Sequence, residues 1–173
     1  MTPATEQAIG LGAIVYGLML GEAVLSRRHE RALRARGAWE PPDDVYRLMQ
    51  LAYPLAFAAP LLEGWWHGPR GLAWWGVGAA LFATGKVLKY WAIASLGPLW
   101  SFRVLVLPGV PLVSGGPYRF MRHPNYAGVV AEILGVTTMM AAPVAGVAAL
   151  AVFGVLLWKR VRIEEQAMAR RLR

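Results

Sequence analysis

Residues 126–158 read YAGVVAEILGVTTMMAAPVAGVAALAVFGVLLW. One membrane-spanning helix needs about 20 mainly apolar residues, so this run is too long for a single span. Pro143 falls midway, where its ring and missing N–H interrupt a helix begun upstream. The run therefore reads as two spans joined by a tight turn near Ala141–Pro143. Downstream, KRVRIEEQAMARRLR should carry the last helix out of the membrane. Upstream, Gly97–Arg122 is rich in Gly and Pro and reads as a long non-spanning segment. Before it lie three more apolar runs: Ala8–Leu25, interrupted by Glu22 near its end; Val45–Trp66, with Pro54 and Pro60 expected to bend it; and Gly71–Leu96, with Trp74 and Trp75 as an interfacial belt. A polar loop, SRRHERALRARGAWEPPDD, separates the first two and closes on Pro41-Pro42. The fold expected is an all-α integral-membrane bundle of five spans, forming one domain over residues 1–173.

Composition excludes several alternatives. The chain is 57% hydrophobic, 16% charged and carries a net charge of +8. Soluble domains carry about 25% charged residues, so the balance points to lipid. Nucleic acid would need a solvated basic face, whereas here the basic residues sit in short clusters flanking apolar runs. The absence of cysteine excludes disulfides, thiolate metal sites and cysteine catalysis, and no metal site is expected. The N-terminal MTPATEQAIGLG lacks the basic region of a cleavable signal, so its apolar run should stay as a mature helix. With the N-terminus outside and the C-terminus inside, 17 of the 18 Lys and Arg residues fall on the inner side and only Arg70 falls outside.

The dense polar chemistry falls on that inner side, at the two ends of the last helical hairpin. In RHPNY, His123 precedes a proline and should be non-helical, while Pro124 suits the first helical position. The amides that follow would then form an anion site. PGVPLVSGGPY, just upstream, should expose main-chain groups in turns. At the other end, Arg160 and Glu164 lie four residues apart on one helix face. Taken singly, these are a helix-surface ion pair and a capped helix start with interfacial anchors. A short hairpin makes the two sets neighbours, which favours a pocket facing the cytoplasm. Glu132, inside the fourth span, reads either as a base toward a phenol or as an ion-pair partner of Lys86 or Lys89. His29 and His67 read as loop and interface residues.

LGPLWSFRV…PLVSGGPYRFMRHPNYAG, followed by RVRIEEQAM, resembles the isoprenylcysteine carboxyl methyltransferase family over roughly Lys89–Met168. The 38-residue spacing from Tyr126 to Glu164 fits as well. The resemblance implies an integral-membrane enzyme that uses S-adenosylmethionine, with residues 1–88 holding spans one to three and 89–173 forming the methyltransferase core. Its cofactor contacts map onto Val110, Pro111, Leu112 and Val113, onto Tyr118, onto His123, Pro124, Asn125 and Tyr126, and onto Glu164. Arg103 falls near a further polar family position, and the substrate-side arginine maps onto Arg160. The animal enzymes place a His-Thr pair where this chain has Val110-Pro111, which preserves backbone contacts and removes any side-chain contact. The N-terminal GEAVLSRRHERALRARGAWE is similar to bacterial members that O-methylate long-chain phenols and pyrones.

What the resemblance implies agrees with elementary chemistry. Tyr118 and Tyr126 offer π-faces and hydroxyls to the cationic donor, Glu164 can pair with its ammonium or ribose, and the helix start can receive its carboxylate. Methyl transfer is an in-line displacement, so the protein mainly positions and desolvates. A carboxylate acceptor is already ionised, whereas a phenol needs a base or a nearby cation. Arg160 can hold either anion but cannot take a proton. The expected partner is a lipid-like acceptor from the bilayer, and the expected location is a bacterial inner membrane. The alternatives are a phospholipid amine methyltransferase, a sterol-reductase relative using NADPH, and a non-enzymatic adaptor for anionic lipid.

Overall fold

The computed structural model describes residues 2–68 and 71–170, and within them the chain is all helical, with no strand. Five long helices are joined by irregular segments: α1 (Pro3–Ala35), α2 (Tyr46–His67), α3 (Leu72–Leu96), α4 (Pro124–Met140) and α5 (Pro143–Arg170). Short 3₁₀ turns occupy Gly97–Leu99 and Gly116–Arg119. Arg70, Arg171 and Arg173, counted in the charge distribution, lie outside the described residues.

The expected turn is where the sequence places it. α4 ends at Met140, Ala141 takes a left-handed conformation (φ 52°), and α5 starts at Pro143. Ala141 and Ala142 donate back to the Thr138 and Thr137 carbonyls, so the hairpin needs only two linking residues. The amides of Val144 and Ala145 donate to Glu63 of α2, which places a carboxylate against the positive end of α5.

α1 is longer than the expected run. The segment SRRHERALRA, read as loop, continues the helix to Ala35. Arg, Glu, Ala and Leu are good helix formers, so polarity alone does not end a helix. Leu33 anchors the extension by burying itself against Leu105 and Leu107. The 33 residues of α1 span about 50 Å, against about 30 Å of bilayer hydrocarbon. His29 therefore sits on a helix, its Nδ1 2.8 Å from the Trp100 carbonyl. α2 runs unbroken in helical conformation through Pro54 and Pro60.

The core centres on α4. Val129, Ile133, Val136, Met139 and Met140 pack with Leu11 and Val15 of α1, Phe57 and Leu61 of α2, and Phe153 of α5. α3 and α4 approach through glycines spaced seven apart. A Cβ added at Gly85 would lie 2.7 Å from the Gly128 carbonyl, and one at Gly135 would lie 2.6 Å from the Phe82 nitrogen. Backbone therefore packs on backbone along this seam, as small residues permit between apolar helices.

Large apolar side chains stay exposed on the outward faces, among them Ile14 and Val24 of α1, Leu51 and Leu55 of α2, Val87 of α3 and Val147 and Val152 of α5. Patches this extensive need a non-aqueous surrounding. By length and apolarity, α1 and α5 could each cross a membrane.

Candidate functional site

A cavity of about 1030 Å³ gathers the residues singled out above. Arg103, Val110, Pro111, Leu112, Val113, Tyr118, His123, Asn125, Tyr126, Arg160 and Glu164 all line it. Pro124, also expected at the site, does not line the cavity and is buried as the first residue of α4. The cavity continues between apolar walls formed by Met19, Leu20, Met49, Pro54, Val129 and Phe153. One end is thus rich in hydrogen-bonding groups and the other accepts hydrocarbon.

Local sequence builds the polar end as expected. His123 is non-helical (φ −128°, ψ 60°) and Pro124 opens α4. The His123 ring stacks on Tyr126 with centroids 5.5 Å apart. Its carbonyl accepts from the amides of Tyr126 and Ala127, so those two donors are not free for an anion. The side-chain oxygen Asn125 Oδ1 is buried without a hydrogen-bond partner.

Arg160 and Glu164 are bridged, not paired. The Tyr126 hydroxyl donates to Glu164 Oε2 at 2.7 Å and accepts from Arg160 Nε at 2.8 Å. The rest of the guanidinium donates to Asp44 Oδ1 at 3.1 Å and to the Phe102 carbonyl. Asp44 also accepts the Val104 amide at 3.1 Å, so it ties α5 to the segment after α3. Arg103 touches the cavity, but its guanidinium lies 2.6 Å from Glu40 and 3.4 Å from Glu30, over the Tyr46 ring. Burial opposes ionisation of Glu40, yet the hydrogen bonds from Arg103 and Arg34 hold its carboxyl below the usual range.

Around the polar end, burial first and the Glu164 carboxylate second push the Tyr118 hydroxyl well above its ordinary range, so it stays protonated. Exposed Glu165, bonded to His123 and Arg122, has its carboxyl lowered by those two contacts.

Glu132 does not line the cavity. Of its two sequence readings, the geometry shows the ion pair: Lys86 Nζ lies 3.0 Å and Lys89 Nζ 3.7 Å from its carboxylate. Both lysines also reach Glu22, at 2.8 and 2.5 Å. Lys86 and Lys89 are therefore buried in the bundle and do not belong to the inner-face charge count. Asp44, Glu165 and Tyr53 were not foreseen. The one available signal was Asp43-Asp44, an acidic pair in an otherwise basic segment.

Such a cavity, with polar and hydrocarbon-lined walls inside an apolar helical bundle, places the chain among helical membrane proteins. The chain belongs to the isoprenylcysteine carboxyl methyltransferase family, whose pattern matches residues 78–170. That match takes in most of α3 as well as the segment from Lys89 onward. An uncharacterized protein of Bacillus subtilis (strain 168), YpbQ, is 34% identical across 90% of this chain and 93% of its own length. An uncharacterized protein of Haemophilus influenzae is 24% identical across 91% and 92%. Protein-S-isoprenylcysteine O-methyltransferase A of Arabidopsis thaliana is 33% identical over 57% of this chain and 46% of the plant protein. The chain thus aligns with less than half of that longer enzyme. No solved structure matches the chain.

Proposed function

We propose that the protein is an S-adenosylmethionine-dependent membrane methyltransferase that methylates an oxygen on a lipid-like acceptor. In this reading the five helices all span, with the N-terminus outside and the cavity mouth toward the cytoplasm of a bacterial inner membrane. The observation that carries it is the single cavity joining the family's expected donor contacts to an apolar arm. Asn125 Oδ1, a buried acceptor without a partner, fits a donor molecule that carries N–H groups. Glu164, with only Oε2 engaged by Tyr126, keeps an oxygen for an ammonium or ribose hydroxyl.

When bound, S-adenosylmethionine supplies an electrophilic methyl group on a sulfonium. The chain's contribution is to bind and align. His123 and Tyr126 form a stacked pair whose faces can lie against a cation. Val110–Val113 lend main-chain groups, and the apolar arm fixes the acceptor by its tail and excludes water. Lys89 and Arg160 on the wall support an acceptor oxygen over the cationic amine of the phospholipid reading.

The test uses purified protein in detergent, S-adenosylmethionine labelled in its methyl group, and two acceptors: a prenylcysteine carboxylate and a long-chain phenol. Label should enter the organic phase, as a base-labile ester from the first or a base-stable ether from the second. Glu164→Gln should weaken donor binding by about 10- to 100-fold in calorimetry, the scale of one charged hydrogen bond. Absence of donor binding by the parent protein would leave the adaptor reading in its place.

A further inference from the structure

The buried charges beside the cavity form a closed set. Glu22 on α1, Lys86 and Lys89 on α3 and Glu132 on α4 carry two negative and two positive charges, and all four are buried. Tyr53 of α2 completes the set. Lys89 Nζ donates to the Tyr53 oxygen at 2.7 Å, and the Tyr53 hydroxyl points to Glu132 Oε2 at 3.5 Å. Phe82 and Tyr90 cover Lys86 with their rings, and Phe153 of α5 packs on Tyr53. The groups facing Glu132 are therefore Lys86, Lys89 and Tyr53, with Glu22 across the lysines.

Only part of this set reaches the cavity. Tyr53 and Lys89 line it, while Glu132 lies behind them. Lys89 also sits beside the first turns of α4, because its Cβ would be 3.0 Å from a Cβ placed on Gly128, two residues past Tyr126. Glu132 Oε1 is buried without a hydrogen-bond partner. Tyr53 points to the other oxygen, Oε2, which Lys86 also approaches at 3.0 Å; a carboxylate one hydroxyl away from a ligand cavity is within reach of a relayed proton.

Resting on the reading of the site as an oxygen methyltransferase, we propose that Tyr53 takes the proton of a protic acceptor, such as a phenol or enol, and passes its own to Glu132. The acceptor O–H bond breaks, and its proton goes to the Tyr53 oxygen as the Tyr53 proton moves to the Glu132 carboxylate. Lys89 stays protonated and steadies the negative charge on the acceptor oxygen. In the transfer that follows, a C–O bond forms and the methyl–sulfur bond breaks, its electron pair remaining on sulfur. Total charge is conserved: the positive charge lost from the sulfonium reappears as the proton on Glu132, and the cluster goes from neutral to singly positive. Tyr53 is the catalytic residue here, and Glu132 acts through it.

The test needs no methyl donor. A long-chain nitrophenol changes its visible absorbance on ionisation, so it reports the proton's position in the bound state. Measured about one pH unit below its midpoint in the same detergent, the probe should ionise on binding to the parent protein. Tyr53→Phe should still bind it but leave it neutral, and Glu132→Gln should do the same. Because Glu132→Gln removes a charge that neutralises two buried lysines, the deciding variant is Tyr53→Phe, whose fold is checked by thermal unfolding. With the donor present, Tyr53→Phe should lower the ratio of phenol to carboxylate methylation by about 10²-fold, the lower end for general-base catalysis. Failure of the parent to bind the probe, a probe that stays neutral, or equal ionisation by parent and Tyr53→Phe would overturn the proposal. Ionisation without any methyl transfer would retain the proton site and overturn the methyltransferase reading instead.

Discussion

Arg160 makes three hydrogen bonds to its own chain, and a guanidinium has five N–H donors. It faces the cavity, yet it also organises Asp44, the Phe102 carbonyl and Tyr126. Removing it leaves the Asp44 carboxylate, whose side chain is 3% exposed, without its countercharge. Breaking one partner of a buried pair costs about 3–5 kcal/mol. Arg160→Ala should therefore lose stability on that scale in detergent unfolding, as well as turnover. Asp44→Asn introduced alongside should recover part of the loss, because no buried charge then remains unpaired. Strictly additive losses would mean that the pair is not coupled. As the substrate-side arginine that the family resemblance implies, Arg160 could be removed with donor binding intact and turnover lower by about 10²-fold. The Asp44 contact shows why folding must be measured beside it. The local signals for His123, Pro124 and the Arg160–Glu164 face were readable because each depends on neighbours within four residues. Asp44 and Tyr53 were not, because their partners lie far along the chain and no periodicity links them.

At the scale of elements, the turn at Ala141–Pro143 was legible because one proline interrupts an overlong apolar run. The end of α1 was not, because polarity was read as loop while the helix-forming tendency of SRRHERALRA persisted. The α3–α4 seam was available in the sequence as glycines at 78, 85, 128 and 135 but carries no hydrophobic signature. It makes a sharp contrast between two substitutions. A Cβ at Gly135 would meet the Phe82 nitrogen at 2.6 Å and the Gly78 carbonyl at 2.7 Å, both of them backbone atoms that cannot swing aside. Gly135→Ala should destabilise by about 1–3 kcal/mol, the usual cost of overpacking. Gly76 lies in α3 with nothing within 4 Å of a new Cβ. Gly76→Ala should leave stability unchanged or raise it by about 0.5–1 kcal/mol, since alanine is the better helix residue. Unfolding midpoints of the two variants check the contrast, and equal shifts would mean that α3 and α4 do not pack along this seam.

The whole molecule has two chemically different ends. At one, Gly64 of α2 packs on Met140, Trp65 Nε1 donates to Thr5 Oγ1 at 3.1 Å, and Glu63 caps α5. The start of α1, the end of α2 and the α4–α5 turn therefore meet there, beside Trp66 and near the Trp74-Trp75 start of α3. At the other end lie the arginine-rich extension of α1, the segment from Gly97 to Arg122, the start of α4 and the end of α5. Five helices running up and down in turn put the two termini at opposite ends. Basic residues are retained on the cytoplasmic side, so the arginine-rich end should face inward. Removing the buried Lys86 and Lys89 from the count leaves that excess large, since the α1 extension and the residue that caps it carry Arg27, Arg28, Arg31, Arg34 and Arg36. Topology reporters fused at Gly68 and at the C-terminus should accordingly report opposite faces, with Gly68 outside. The same fusions carrying Glu in place of those five arginines should report weakened or mixed orientation, because the charge bias then rests on the later segments alone. Reporters that agree at Gly68 and the C-terminus would rule out three spans after Gly68, and with them a cavity mouth that meets a cytoplasmic methyl donor while its apolar arm opens among the spans.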